Sequence, residues 1–301
     1  MSKPTLLSIN GILLLDKPLG LTSNTALQRV KRLFYAKKAG HTGSLDPLAT
    51  GMLPICFGEA TKFSGTLLES DKGYEVSAKL GIKTATGDAE GAVISTRPVR
   101  VERCDLEKVM AMFRGAITQI PPMYSAVKVN GKALYELARQ GVEIERASRT
   151  VHIHDLQLIA FEKDTATFSV RCSKGTYIRT LIEDMGEALG CGAHVSQLHR
   201  SFVSPFNTIA AVSLDALEDA DRAGDRAQLM SYLLPTEAAV SGLPAVHLSQ
   251  SAAFYIRQGQ AVATPQLPKE GLVRLFSDVA QFMGIGEVLE DGRVAPKRLV
   301  V

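Results

Sequence analysis

Residues 40–51 read Gly-His-Thr-Gly-Ser-Leu-Asp-Pro-Leu-Ala-Thr-Gly, and this run constrains the chain more than any other. Glycine at 40, 43 and 51 admits backbone angles or close approaches that a β-carbon obstructs, and Pro47 stiffens the backbone beside the run's single carboxylate, Asp46. Upstream, Ala26, Leu27, Val30, Leu33 and Phe34 recur at helical spacing behind a Thr22 or Ser23 cap. Downstream, residues 52–57 form an apolar strand run. A helix and a strand must therefore be joined by a stiff loop that presents one acid. An isolated Asp-Pro usually marks only a surface turn, so the rest of the chain has to say what Asp46 is for.

At 301 residues and 46% apolar, the chain can build one large core and a smaller one. Lys plus Arg number 34 against 31 acids, and a net charge of +3 is too small to define a polyanionic partner by itself. Cys56, Cys104, Cys172 and Cys191 form no Cys-x-x-Cys pair, which argues against a zinc knuckle or a disulfide framework. The first ten residues lack the basic and apolar regions of a leader, and no run approaches the ~18 apolar residues of a membrane span. The expectation is a cytoplasmic protein without membrane contact.

Residues 11–15 suit a buried strand and residues 59–68 a helix. Tyr74, Val76, Ala78 and Leu80 alternate with polar neighbours as a half-buried strand does. Residues 84–91 read as a polar loop, and Leu106, Val109, Met110 and Phe113 mark an amphipathic helix. Residues 117–149 carry Pro121-Pro122, Lys128, Asn130-Gly131, Lys132, Arg146 and Arg149, the composition of a basic surface arm outside any sheet. Another alternating strand, residues 166–172, leads into a helix over residues 177–189 with Arg179 in its first turn. A cation there opposes the helix dipole and calls for a nearby anion. Residues 194–202 read as a further strand and residues 214–234 as mostly helical. From residue 244 onward, short apolar pieces separated by Gly and Pro suggest a small β-rich module. His152 and His154 share one strand face, and without a third ligand this is a solvated face rather than a metal pair.

Five ordered motifs resemble the bacterial TruB-type tRNA pseudouridine-55 synthases. Asp16-Lys17-Pro18 with Gly20 and Thr22-Ser23 is similar to that family's first motif, and residues 40–51 to its catalytic motif. Lys72-Gly73-Tyr74 resembles the tyrosine motif, and Ser173-Lys174-Gly175-Thr176-Tyr177-Ile178-Arg179 the arginine motif. Gly192-Ala193-His194-Val195 with Leu198 resembles a further pocket segment. Gly284-Ile285-Gly286 and Gly292-Arg293-Val294 resemble a PUA RNA-binding module. Two positions depart from the pattern: Ser44 stands where relatives often have Ala, and His199 precedes Arg200 where two basic residues are expected.

The resemblance implies an α+β fold: a pseudouridine-synthase-like mixed, mostly antiparallel sheet with flanking helices, over residues 1–243. It adds an RNA-gripping insertion at about residues 120–150 and a PUA-like module over residues 244–301. The implied reaction isomerises the uridine at position 55 in the tRNA T-loop: the N1 glycosidic bond breaks, the uracil turns, and C5 bonds to the same sugar carbon. It needs no cofactor, no metal and no protein partner, and a monomer suffices. Asp46 is the implied catalytic carboxylate, acting on the sugar, the uracil or a 2′ proton, and Arg179 its fixed cation. Tyr74 would stack on the extruded uracil and could take the C5 proton, with Tyr177 and Leu198 lining the pocket. His41 would fill the gap that the flipped base leaves. Lys17, Lys62, Lys128, Lys132 and Arg200, together with Arg146 and Arg149, are the expected phosphate contacts. The reading from another class is an RNA-binding or tRNA-folding protein in which Asp46 is only a turn residue. A guide-directed or ribosomal uridine, or a nucleoside hydrolase, are further alternatives.

Overall fold

The computed structural model describes residues 5–125, 127–129 and 131–300. In chain order they form β1 (Gly11–Lys17), α1 (Ser23–Leu33), β2 (Ala39–His41), β3 (Ala49–Phe57), a 3-10 turn (Gly58–Phe63), α2 (Ser64–Leu68), β4 (Lys72–Leu80), β5 (Ile82–Thr84), β6 (Val93–Thr96), α3 (Arg103–Met112) and β7 (Gly115–Gln119). Then come β8 (Lys128–Val129), β9 (Lys132–Ala133), α4 (Leu134–Arg139), β10 (Arg149–Glu162), β11 (Thr165–Cys172), α5 (Ile178–Ala188), β12 (Ala193–Val203), β13 (Val212–Ser213), α6 (Leu214–Arg222) and α7 (Arg226–Ser231). The last stretch holds β14 (Ala245–His247), α8 (Gln250–Arg257), β15 (Gly271–Phe276), β16 (Phe282–Val288) and β17 (Val294–Leu299).

One sheet runs in the order β13-β1-β3-β12-β4-β11-β10-β7, with β2 also paired to β3. Within it β1 with β13 and β3 with β12 are parallel, and the other pairs are antiparallel. This is the mixed, mostly antiparallel sheet that the alternating segments call for. Leu13, Leu15, Leu53, Ile55, Val76, Ala78, Phe168 and Val170 bury one face against Ala26, Leu27 and Val30 of α1 and Leu181, Ile182 and Met185 of α5. At 25 cal/mol per Å² of apolar surface, each such Leu or Ile contributes roughly 1.5–3 kcal/mol.

The opposite face of β1 and β3 carries Ile12, Leu14, Met52 and Cys56, which pack with Phe63, Leu67 and Phe206 and with Phe282 and Ile285 of the C-terminal segment. Where β4 and β12 lie beyond that cover the face turns polar, and Glu75, Gln197 and His199 are exposed on it. Side chains alternate along a strand, so His199 faces away from its neighbours Leu198 and Arg200. Its Nδ1 lies 2.9 Å from Thr50 Oγ1. The four strands β14-β15-β16-β17 form a second sheet around Val273, Leu275 and Ile256.

Three local expectations change. Residues 58–68 split into a 3-10 turn and a short helix instead of one helix. Arg149 opens β10 and pairs with Gln119 of β7, so it belongs to the sheet edge and the basic arm begins and ends inside residues 120–148. Asn130 of the expected Asn-Gly turn lies outside the described residues. In the C-terminal segment, α8 is a helix capped by Ser249, whose hydroxyl accepts from Ala252 N at 3.2 Å. It was not foreseen among the β-like pieces.

Candidate active site

The loop between β2 and β3 is held from several directions. The Ser23 hydroxyl, buried at the start of α1, donates to Leu45 O at 3.0 Å and accepts from Leu45 N at 2.7 Å. Gly20 N donates to Pro47 O at 2.8 Å, and Ala49 N to Asp46 O at 3.0 Å, closing the turn on the acid itself. Gly43 (φ +79°) and Gly51 (φ +100°) adopt left-handed backbone. A β-carbon on Gly51 would lie 2.3 Å from Arg200 O, so the close approach of β12 excludes any side chain there. Gly40 has open space around it and an ordinary φ, so it carries no such requirement.

Asp46 projects from this loop toward α5. Arg179 Nε lies 3.0 Å from Asp46 Oδ2, and Arg179 Nη1 lies 3.4 Å from Asp88 Oδ2. The guanidinium thus bridges two acids of different character: the Asp46 side chain keeps 41% of its surface open, while that of Asp88 keeps 4%. Arg179 also donates to Thr86 O at 2.8 Å and to Tyr124 O at 2.7 Å. Its position is thereby fixed by the Asp88 loop and by the base of the arm. The anion that its place in the first turn of α5 called for is Asp46 together with Asp88.

Asp88 was missed by the sequence reading. Its Oδ1 accepts from Thr86 Oγ1 at 2.5 Å and from Glu90 N at 3.1 Å. Ala89 N donates to Val195 O at 2.9 Å and Val195 N to Gly87 O at 3.0 Å, clipping the loop to β12. Gln119 completes the frame. Its buried amide accepts from Tyr177 N at 3.0 Å and donates to Tyr177 O at 3.2 Å, welding edge strand β7 to the N-cap of α5.

Burial raises the pKa of Asp46, Arg179 opposes the rise, Asp88 adds to it and Lys17 lowers it. A carboxylate so placed is a half-buried acid beside a fixed counter-cation, suited to act as nucleophile or base. The Tyr74 phenol is enclosed, and burial pushes its pKa up. Leu198 is buried on the same side of the sheet, its β-ladder partners being Ala49 and Val76. Tyr177 lies under the Arg149 guanidinium, 4.6 Å from ring centroid to Cζ. His41 sits in β2 with Nδ1 buried and unbonded, and burial followed by the charge of Arg200 lowers its pKa.

The expected phosphate contacts divide. Lys128 and Lys132 stand exposed on the β8–β9 hairpin of the arm. Lys17 does not fit that role: it is fully buried, its Nζ donating to Pro18 O at 2.9 Å and Leu21 O at 2.7 Å. Burial lowers its pKa to about 8. Arg200 is also out of reach of a backbone phosphate, 1% exposed, donating from Nε to Met52 O at 2.7 Å and from Nη2 to Gly43 O at 3.0 Å. Both are drawn inside because their donors satisfy backbone carbonyls, those of the β1–α1 connection for Lys17 and those of β3 and the Asp46 loop for Arg200. Lys62 is committed too, paired with Glu59 at 2.6 Å and donating to Leu299 O at 2.9 Å. Among the described residues no group of three or more His, Cys, Asp or Glu side chains is placed to hold a metal ion, and no helix is long and apolar enough to cross a membrane.

Comparison with known proteins identifies the family. Residues 31–178 match the model of the TruB family pseudouridylate synthase (N-terminal domain). Residues 179–241 match the tRNA pseudouridylate synthase B C-terminal domain, and residues 244–300 the model described as pseudouridine synthase II TruB, C-terminal. The chain is 56% identical over 293 residues to tRNA pseudouridine synthase B of Pseudomonas putida, covering 97% of this chain and 96% of that protein. It is 55% identical to the protein of that name from Coxiella burnetii, covering 97% and 95%. Among solved structures it is similar to a chain of a Cbf5-Nop10-Gar1 complex, with a TM-score of 0.75 and 27% identity over 96% of this chain and 84% of that one. A chain of an H/ACA RNP bound to a substrate RNA containing 2′-deoxyuridine gives a TM-score of 0.74 at 25% identity, over 97% and 85%. With matching models across most of its length and relatives more than half identical, the chain belongs to the TruB family of pseudouridylate synthases.

Proposed function

We propose that the chain converts the uridine at position 55 in the T-loop of tRNA to pseudouridine, with Asp46 as the catalytic carboxylate. The reaction class, isomerisation of a tRNA uridine to pseudouridine, comes with the family. The observation that carries the residue assignment is the open Asp46 carboxylate held 3.0 Å from a buried Arg179. Partial burial raises the cost of ionising Asp46, and a rigid guanidinium keeps it ionised and aimed.

The target base leaves its stack at a cost of about a few kcal/mol. The uracil then lies between Asp46 and the buried wall of Tyr74 and Leu198, and His41, on the catalytic loop, occupies the vacated space. Asp46 assists cleavage of the N1–C1′ bond, the ring turns, and C5 bonds to C1′. Lys128 and Lys132 on the arm grip the phosphates of the loop, and residues 244–301 hold a more distant part of the RNA. A separate four-stranded sheet supports treating those residues as their own module, and residues 1–243 as the catalytic unit. The protein works in the cytoplasm.

The test is purified protein with a bare T-arm hairpin and nothing else, followed by mapping of pseudouridine. Product at the T-loop uridine, lost in Asp46→Asn while RNA binding persists, is the expected result. Normal product from Asp46→Asn would overturn the assignment, and product only after added guide RNA or proteins would overturn stand-alone action on tRNA.

A further inference from the structure

Arg200 is a buried cation without an acid. Among the described residues no carboxylate lies in ion-pair distance of its guanidinium, which is 1% exposed. Its neighbours add to the positive charge. Lys17 on β1, Lys72 on β4 and His41 on β2 are all depressed in part by Arg200, after burial. Lys72, lowered to about 8, turns its Nζ to Leu68 O and Ser70 O. Isolating a charge from water is costly unless something negative repays it. The two carbonyls that Arg200 binds, Met52 O and Gly43 O, could be served by a neutral donor.

One group in this setting can become negative on the pocket side. Tyr74 faces Arg200 across the β4–β12 pair, its Cα being the register partner of Arg200. Register partners on neighbouring strands put their side chains on one face of the sheet, so the guanidinium stands beside the phenol and its charge favours the phenolate. Besides Arg200, Cys172 on β11 and Asp46 on the catalytic loop bear on the phenol, and both oppose its ionisation, as does burial. Arg200 is the element that favours it.

We propose that Arg200 is a positioning residue for Tyr74: it fixes the phenol oxygen and stabilises the phenolate that takes the C5 proton in the last step of isomerisation. This rests on the reading above that Tyr74 lies against the flipped base. Once C5 has bonded to C1′, C5 still carries its hydrogen and the ring holds an N1=C6 double bond. The C5–H pair becomes the C5=C6 double bond, the N1=C6 pair moves onto N1, and N1 gains a proton. The phenolate receives the proton that C5 loses, and the proton the phenol shed earlier is the one that N1 gains through solvent. Nothing is consumed. The guanidinium is already in place when the charge appears, which is where such stabilisation is most effective.

The experiment follows tritium released from a T-arm hairpin carrying 5-tritiated uridine, in single turnover, for Arg200→Gln, Arg200→Lys and Tyr74→Phe. Arg200→Gln is expected to bind the hairpin as the parent does but to release tritium about 100-fold more slowly, with a larger C5 isotope effect. Its rate should keep rising to higher pH than the parent's, because the phenol has lost the cation that favours ionisation. Arg200→Lys should recover most of the loss. Arg200→Gln with unchanged release and isotope effect, or a loss that Arg200→Lys shares in proportion to lowered melting temperature, would overturn the proposal. Should Arg200→Gln fail to fold, 3-fluorotyrosine incorporated into the unsubstituted chain must move the pH limb of tritium release downward, and an unmoved limb overturns it equally. Tyr74→Phe separates the two layers: normal turnover there removes the reading of Tyr74 at the base, whereas loss there with none in Arg200→Gln removes only the role of Arg200.

Discussion

Asp88 Oδ2 lies 3.4 Å from Arg179 Nη1, on the far side of the guanidinium from Asp46. The buried acid is fastened by Thr86 and by the backbone of Glu90, so it steadies the cation that the open acid uses. Arg179 thus joins an open acid and a buried one in a single ion-pair network.

Replacing the buried acid should leave RNA binding intact and cost turnover. Asp88→Asn keeps the shape but weakens the hold on Arg179, and a small displacement of a reacting group costs about 100-fold. Single-turnover rate at saturating T-arm RNA measures it. An equal rise in KM with unchanged kcat would show instead that Asp88 acts in binding.

In the role proposed for it Asp46 must be ionised, and burial raises its pKa above 3.8. The acid limb of the rate profile should therefore lie at higher pH than an ordinary carboxylate would give. The charge of Asp88 contributes to that rise, so in Asp88→Asn the limb should move toward lower pH even as the plateau falls. A pH series of single-turnover rates on both proteins reads the shift.

Ser23 makes two hydrogen bonds to Leu45 from a buried position. Ser23→Ala leaves a buried N–H and C=O without their partner, at a cost of about 1–3 kcal/mol. Denaturant unfolding should show that loss, and turnover should drop because the loop bearing Asp46 is loosened.

Lys17 titrates near 8 in the folded chain, against 10.5 for an unconstrained lysine. Between those values the unfolded chain binds more protons, so this group makes stability rise with pH across that window. In Lys17→Met its contribution to the slope disappears, and the stability difference between parent and variant should grow in favour of the parent from pH 8 to pH 10. The slope at stake is at most about 1.4 kcal/mol per pH unit. Urea midpoints at several pH values test it.

Much of this is legible in the amino-acid sequence. The turn chemistry of residues 40–51 and the alternation of β4 and β11 gave the loop and its flanking sheet, and the first-turn arginine of α5 announced its acid. Asp88 was not legible, because its loop reads as an ordinary polar turn and its value comes from a clip to Val195 far along the chain. Lys17 and Arg200 were misread because a charge is taken as solvated until burial is known. A signal existed for Arg200: it stands two residues from Leu198 on an alternating strand, so the two share a face. For α8 the cue was Ser249 ahead of Ala253 and Ile256, too few apolar positions to outweigh the β-like spacing around them.

The seam between the two sheets has a mechanical meaning. Phe63 meets Phe282 at 5.6 Å between ring centroids, Lys62 Nζ donates to Leu299 O at 2.9 Å, and Arg298 Nη1 donates to Lys62 O at 2.7 Å. A hinge there would have to wet Phe63, Phe206 and Ile285 at each opening. The distance from Asp46 to the C-terminal sheet is accordingly built into the fold like the gap of a calliper, set by packed side chains and not by the length of a tether.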